Sequence, residues 1–597
     1  MTMKNKISPN LDPRLQKAIV INQTRETNAL HEIAHENNLV PVIAKVTNVD
    51  AFYAIPGVHQ GEDITMAPDK SGRIVTARVS VTELEKVRQS PVVLSLKGAQ
   101  PLKPLLKDTV REIGVPPLLG NESGGGEGVI VGIVDHGCDF VHRNFRREDG
   151  STRLIALYDQ INRKIYSKQK INEALQTPNP YATLGYDVSK EDPQRRTRAE
   201  HGTHVMDIAA GNGLGTGNRG VASHADLIFV EPAYFDVSEE GNFGDSSNLL
   251  EAIKFIFSQA GDQPCVVNIS LGTNGGPHDG TSHVEQGIDG LVLEKPNRAV
   301  VIAAGNSFDD NIHATGSISQ GEFVDLHWMF KDGDFTTNEL EIWYDGDDEF
   351  RLEILNTENE SIGSIGLGEN KSFDEGQIFA TQVKNDEENG DNVAMVFYPL
   401  RGDISKSTWT IRLHGVRVTN GEFHAWIERD NFQTESDQSS FAPPNNNTHT
   451  LGSICCGHKS IVVGSYDAKF IGTPISSFSS SGPTRDRRQK PEISAPGGTR
   501  EQPVQAASSR TREKLIGMAG TSMAAPAVTG VVALMLAEAK ARGLTLTVDQ
   551  IRSILKQTAR PHPPATEGWH DRYGYGRIDA KAAVEAIKAM VVPLVGS

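Results

Sequence analysis

Three textures of apolar and polar positions follow one another along the chain. Between 39 and 102, Val40-Pro-Val-Ile-Ala-Lys-Val46, Arg73-Ile-Val-Thr-Ala-Arg-Val79 and Pro91-Val-Val-Leu-Ser-Leu96 read as strands. Ser80 and Glu83 have the spacing of a capping box that opens a short helix to Gln89. Together these predict a small α+β module, with a polar arm over 1–38 before it and a linker over 103–126 after it. The linker ends in Asn121-Glu-Ser-Gly-Gly-Gly126. From 127 to 315 the runs become continuously apolar: Val129-Ile-Val-Gly-Ile-Val134, Asp226-Leu-Ile-Phe-Val230, Cys265-Val-Val-Asn-Ile269 and Ala299-Val-Val-Ile-Ala-Ala304. Strands of that kind are buried on both faces. Alternating with helical stretches such as 204–210 and 247–259, they predict an α/β fold with a doubly wound, mainly parallel sheet. From 316 to 440 the pattern has period two, as in Glu339-Leu-Glu-Ile-Trp-Tyr344 and Thr408-Trp-Thr-Ile-Arg-Leu413. This predicts an antiparallel β-sandwich inserted into the α/β domain. The α/β texture returns over 441–590 with Ile461-Val-Val-Gly464 and two helices, 522–541 and 548–557.

Composition narrows the function. The chain has 597 residues, 76 acidic against 59 basic, for a net charge of −17. It is long enough for several domains, and its acid surplus, much of it between Asp332 and Asp391, argues against a nucleic-acid partner. No apolar run is seen to approach the roughly 18 residues that span a bilayer, so a soluble chain with no membrane partner is expected. Residues 1–16 are polar and carry both signs of charge, without the apolar centre of a leader, so a cytoplasmic location is expected. Cys138, Cys265, Cys455 and Cys456 fit neither a disulfide framework nor a metal-ligand spacing, and are expected to be buried free thiols.

The chemistry is sought at the carboxyl ends of the parallel strands, where an open sheet places its working residues. Asp135 follows directly on one strand. His201 opens His201-Gly-Thr-His-Val205 at the start of a helical stretch, and Ser522 lies in Gly520-Thr-Ser-Met-Ala-Ala-Pro526, where a glycine turn opens a long apolar helix. A serine hydroxyl becomes a nucleophile when an imidazole takes its proton, and the imidazole needs a carboxylate to fix its tautomer. Backbone N–H groups at the mouth of that helix, together with the amide of Asn306 in Val301-Ile-Ala-Ala-Gly-Asn306, can receive an oxyanion.

Asp135-His-Gly, His201-Gly-Thr-His-Val, Ala303-Ala-Gly-Asn306 and Gly520-Thr-Ser-Met-Ala-Ala-Pro526 resemble the four signatures of the subtilisin-like serine proteases, in the order Asp, His, Ser. The resemblance covers about 127–315 and 445–588. It implies a serine endopeptidase working through an acyl-enzyme, with Asp135 orienting the base, His201 as general base and acid, Ser522 as nucleophile and Asn306 as oxyanion donor. It gives His204 a packing role. It also implies a peptide or protein substrate bound as an added strand, with Ser270, Leu271 and Gly272 as one wall of the cleft, Gly241 and Gly244 in the other, and Ala303, Ala304 and Gly305 lining a side-chain pocket. The module at 39–102 resembles the inhibitory, chaperone-like propeptides of the family, so the chain's own N-terminal module is an expected partner and 103–126 an expected processing region. The inserted sandwich resembles that of the jelly-roll-bearing subtilases typified by spore-germination proteases.

Two departures stand out: His136 follows the aspartate where the family has Ser or Thr, and Met206-Asp207 replace Ala-Gly. No cofactor or metal is required. Asp309-Asp310 and Asp345-Gly-Asp-Asp348 suggest structural calcium, but Phe350 and Asn356 break the pattern of a dedicated loop, and solvated turns are expected. Two other readings stay open: a pseudoprotease scaffold that binds partners through the sandwich, and a glycan binder using Trp343, Trp409 and Trp426.

Overall fold

The computed structural model describes residues 39–66, 72–98, 106–115, 125–186, 188, 198–232, 246–332, 334, 338–374, 377–386, 389–398, 406–429, 438–509, 514–563 and 568–591. The chain divides into two compact units, Met1–Lys103 and Pro104–Ser597.

In the first unit, strands β1 (Leu39–Val46), β2 (Val58–Met66), β3 (Arg73–Ser80) and β4 (Val93–Gly98) form an antiparallel sheet in the order β2-β3-β1-β4. Alternate residues Val42, Ala44, Val46 and Val75, Ala77, Val79 are buried, and Phe52, Leu84 and Val87 from the helices Val49–Tyr53 and Leu84–Gln89 close over them. The expected capping box is not formed. A 3-10 turn, Val81–Glu83, separates Ser80 from the helix, Ser80 makes no capping bond, and Glu83 instead pairs with Lys86 at 2.9 Å. The strand β2 and the helix Val49–Tyr53 are additions to what the sequence predicts, because their alternation is broken by charged and small residues.

The second unit is built on β5 (Ile130–Val134), β6 (Leu154–Asp159), β7 (Lys164–Ser167), β8 (Asp226–Glu231), β9 (Cys265–Ile269) and β10 (Arg298–Ala303). An insert follows: β11 (His313–Ser317), β12 (Phe323–Phe330), β13 (Asn338–Tyr344), β14 (Glu349–Leu355), β15 (Ser361–Ile365), β16 (Asn370–Phe373), β17 (Ile378–Val383), β18 (Asn392–Tyr398), β19 (Ser407–Arg417), β20 (Glu422–Ile427) and β21 (Ser440–Phe441). The chain then returns through β22 (Ile461–Tyr466), β23 (Ile493–Pro496), β24 (Val504–Ala507) and β25 (Leu515–Met518). Among the described residues the main sheet has the order β23-β22-β10-β9-β5-β8-β6-β7, parallel except for its β7 edge.

The continuous apolar runs explain the layering. Val131, Ile133, Val266, Val301 and Val463 face one core, built around the helices Arg198–Ala210 and Thr521–Ala541. Their neighbours Ile130, Val134, Val267, Ile302 and Val462 face another core, under the helices Ser246–Ala260 and His283–Leu293. The period of two in a strand sends successive side chains to opposite faces, so a strand covered by helices on both sides has to be apolar throughout. The helix Thr521–Ala541 corrects one expectation. It is long and apolar enough to cross a membrane, but 83% of its most apolar stretch is buried inside the protein as the central core helix.

The insert forms two antiparallel sheets, β11-β20-β13-β18-β17-β16 and β15-β14-β19-β12-β21, around one core. Trp343, Trp409 and Trp426 are part of that core, which removes them as a glycan platform. Asp348 is not in a solvated turn. It is fully buried, and its carboxylate accepts the backbone N–H groups of Thr419, Asn420 and Gly421. All four cysteines are free and buried, and burial pushes the thiols of Cys265 and Cys455 up to about 12.

Candidate active site

Asp135 leaves the end of β5 fully buried, and its Oδ1 accepts two hydrogen bonds of 2.7 Å, from its neighbour's backbone at His136 and from His201 Nδ1. A carboxylate can only accept, so Nδ1 carries the imidazole proton and Nε2 of the neutral ring is the basic nitrogen. Among the described residues Asp135 Oδ2 has no hydrogen-bond partner. The two residues are brought together by the next residue in each segment. Gly202 donates its N–H to the His136 carbonyl at 2.7 Å, an approach a side chain would block, since a Cβ there would lie 2.6 Å from Phe229 and 2.7 Å from that carbonyl. Behind the aspartate loop, the buried Glu231 accepts from Gly137 N–H at 2.7 Å and Tyr186 hydroxyl at 2.9 Å, and lies 3.4 Å from His136 Nδ1. His136 is thus part of a carboxylate-anchored loop beside Asp135.

Farther along the same helix, His204 Nε2 donates to the carbonyls of Val504 and Ile516, which tie it to β24 and β25. Burial, helped by the charge of His201, pushes His204 down to about 3, so it is neutral at physiological pH. Asp207 accepts from Asn144 Nδ2 and the Ala507 N–H, and burial raises it to about 7.

Ser522 is the second residue of the helix Thr521–Ala541 and is half-buried, with its Oγ 3.3 Å from the Ser270 carbonyl. The reverse contact is also made, as Ser270 Oγ donates to the Ser522 carbonyl at 3.1 Å. Ser270 in turn accepts from Asn268 Nδ2 at 2.9 Å, and Asn268 Oδ1 accepts from Thr529 at 2.9 Å. A buried polar relay therefore fixes the first turn of the serine helix against the end of β9.

Asn306 is held just as firmly. Its Oδ1 accepts both the N–H and the hydroxyl of Thr521 at 2.9 Å, and the Thr521 hydroxyl also accepts Gly305 N–H at 3.2 Å. With Oδ1 engaged in this way, Nδ2 is left as a donor on the side of Gly520, where a Cβ would come within 3.2 Å of it. Only a residue without a side chain leaves that donor uncovered. The arrangement assembles a buried carboxylate on an imidazole, a serine at a helix mouth and a clamped amide donor.

The expected cleft residues divide. Leu271 is half-buried and Gly272 exposed, and a Cβ on Gly272 would meet nothing within 4 Å, so this edge is open. Gly305 is half-exposed as well. Ala303 and Ala304 have their side chains buried in opposite cores, and their carbonyls accept Cys455 Sγ–H and Gly452 N–H. Gly241 and Gly244 lie outside the described residues. Sequence reasoning missed Asn268, Thr521 and Thr529. The signal for Asn268 was present: a lone amide in an otherwise apolar strand requires a buried partner.

A family profile described as the subtilase family matches residues 126–321 and 359–576. The chain belongs to the subtilase family. Among curated subtilase relatives, the PII-type proteinase of Lacticaseibacillus paracasei is 24% identical over 622 residues, covering 93% of this chain and 31% of that protein. The serine protease AprX of Bacillus subtilis is 32% identical over 154 residues, covering 23% of this chain and 32% of that protein. The chain thus spans about a third of the length of these relatives. Among solved structures, the CspB protease of Clostridium perfringens superposes with a TM-score of 0.70 at 26% identity, covering 81% of this chain and 98% of that one. The expectation of a cytoplasmic protein is overturned by these alignments. Alongside the PII-type proteinase, the minor extracellular protease Vpr of Bacillus subtilis aligns over 73% of this subtilase. The expectation rested on the polarity of residues 1–16, and the first residues of a sequence do not decide where the protein works.

Proposed function

We propose that this subtilase is a serine endopeptidase that cleaves polypeptides through an acyl-enzyme. Ser522 Oγ attacks the scissile carbonyl and its proton passes to His201 Nε2, which returns it to the leaving amine. Water then hydrolyses the acyl-enzyme by the same route. Asp135 holds the imidazole in the required tautomer and stabilises the imidazolium, while Asn306 Nδ2 and the N–H groups at the mouth of the serine helix receive the oxyanion. The observation that carries this reading is the pair of clamps: Asp135 on His201 at 2.7 Å, and Thr521 on Asn306 at 2.9 Å beside Ser522.

Peptide is read as binding along the open edge at Ser270, Leu271 and Gly272, with Gly305 on the opposite side of the serine, by backbone hydrogen bonds that ask little of sequence. The first unit is read as a propeptide-like inhibitor and folding aid that the enzyme removes by cutting within 103–126. The insert is read as a jelly-roll-like module, as in the germination-protease subgroup. Ser522→Ala is expected to abolish hydrolysis of a peptide substrate with the fold intact, and to leave the chain uncut where the wild type, by intact mass and N-terminal sequencing, has lost its first unit. Hydrolysis by Ser522→Ala at the wild-type rate refutes the assignment. A wild type that hydrolyses peptides yet keeps residues 1–126 refutes the processing alone.

A further inference from the structure

Three histidines from distant parts of the sequence meet where the insert joins the α/β core. His313 lies on β11, His424 on β20, and His449 on the segment that leads from the insert back to the core. One ring nitrogen from each lies within 4.8 Å of the other two. His313 Nε2 and His424 Nδ1 are 3.0 Å apart, near the roughly 3.3 Å between two nitrogens bound about 2.0–2.1 Å from one tetrahedral metal ion.

The surrounding hydrogen bonds decide which nitrogens have lone pairs to offer. His313 Nδ1 lies 3.1 Å from the Asn446 carbonyl, which can only accept, so Nδ1 carries the proton and Nε2 the lone pair. Thr448 gives its hydroxyl proton to Asn446 Oδ1 at 2.6 Å, so at 2.7 Å from His449 Nδ1 the same oxygen accepts. His449 therefore also has its proton on Nδ1 and its lone pair on Nε2. A backbone carbonyl or hydroxyl fixing the far nitrogen of a ligating histidine is the usual outer support of a metal site. His424 completes the set by moving its proton from Nδ1 to Nε2, a tautomer change that releases no net proton.

The position is prepared in other ways. His449 adopts a left-handed backbone, φ 58°, uncommon outside glycine, and its carbonyl is held by Trp426 Nε1 at 2.8 Å. His313 is fully buried while His424 and His449 are half-buried, which leaves a solvent side for entry and for a fourth ligand.

We propose that His313, His424 and His449 form a three-imidazole site for a divalent transition-metal ion of the zinc class, which staples both connections of the insert to the protease core. The site lies outside the proposed catalytic machinery. Three residues after His449 the chain reaches Gly452, whose N–H bonds the Ala304 carbonyl at 2.9 Å, so the staple fixes the strap that backs Gly305 and Asn306.

The test uses the full chain with Ser522→Ala, to prevent self-cleavage, stripped with a chelator and titrated with Co²⁺ and with Zn²⁺. The expected result is one ion per chain, the visible bands of a tetrahedral nitrogen-ligated Co²⁺, and a rise in Tm with Zn²⁺. His424→Gln and His449→Gln are expected to lower affinity by at least about 100-fold, and Thr448→Val, which keeps all three ligands, by roughly 10- to 100-fold. Failure of the Ser522→Ala chain with all three histidines in place to bind either ion overturns the proposal. So does binding with the same affinity in His449→Gln, which would transfer the ion to another pair such as His562 and His570. Should the histidine variants fail to fold, the Co²⁺ spectrum and the Thr448→Val affinity still decide.

Discussion

Thr521→Val tests whether the oxyanion amide works because it is held. Valine keeps the shape of threonine and the backbone donor to Asn306 Oδ1, and removes only the hydroxyl, which both donates to Oδ1 at 2.9 Å and accepts Gly305 N–H at 3.2 Å. Two costs follow. Gly305 N–H loses its acceptor, which costs about 1–3 kcal/mol in a buried setting, and the half-exposed Gly305 puts the stability loss near the low end, about 1 kcal/mol. Asn306 loses one of two fixing bonds, worth about 0.5–1.5 kcal/mol net. If that fixing is felt only in the transition state, kcat falls roughly 2- to 13-fold with KM little changed. Removing the amide altogether by Asn306→Ala is expected to cost about 10²–10³ in kcat. The double variant then separates the causes. If Thr521 acts through Asn306, adding Thr521→Val to Asn306→Ala slows the enzyme by less than about 2-fold more, a large departure from additivity. Initial rates on a chromogenic peptide at saturating substrate measure all four corners of the cycle, with Tm checking the fold. An equal loss in both backgrounds, or a loss confined to KM, refutes the clamp.

Gly202→Ala is expected to destabilise the protein by about 1–3 kcal/mol and to lower kcat, because the new methyl would meet Phe229 at 2.6 Å and the His136 carbonyl at 2.7 Å and push His201 off Asp135; unchanged Tm and kcat would contradict this. Glu339 is buried beside Glu341 and Glu428, and desolvation followed by those charges raises it from 4.5 to about 9. The folded state keeps a proton that the unfolded chain releases, so this contribution is fully present below 4.5 and is lost as pH rises through about 9. Glu339→Gln, neutral at every pH, is expected to flatten that decline in denaturant midpoints, and a variant with the wild-type slope would remove Glu339 as its source.

What could be read in the sequence, and what could not, follows from the range of the interactions involved. The main sheet was legible because burial on both faces imposes a local rule, a run of apolar residues, which Ile130–Val134 obeys throughout and Cys265–Ile269 breaks only at Asn268. The insert was legible from its period of two. Asp135, His201, Asn306 and Ser522 stood out through short motifs; the fold pairs Asp135 with His201, and pairs Asn306 with Thr521, the residue before Ser522. The segment Ser476-Ser-Phe-Ser-Ser-Ser481 was not legible. Its composition is polar, yet Ser476, Ser479, Ser480 and Ser481 are fully buried, and Ser480 braces the strand end by accepting Ser307 N–H at 3.0 Å and donating its own N–H to the Gly305 carbonyl at 3.0 Å. A buried hydroxyl is tolerated only when its partner is in place, and here the partner is more than a hundred residues away, 173 between Ser480 and Ser307. The same holds for the supports of the site: Asn306 to Thr521 spans 215 residues, Ser270 to Ser522 spans 252 and Asn268 to Thr529 spans 261. Each joins the first segment of the α/β domain to its last, across the whole insert. The groups that do chemistry are therefore written locally, while the rigidity that makes them useful depends on the two halves of the domain closing on each other. Substitutions that loosen that closure should reduce catalysis without touching a motif residue.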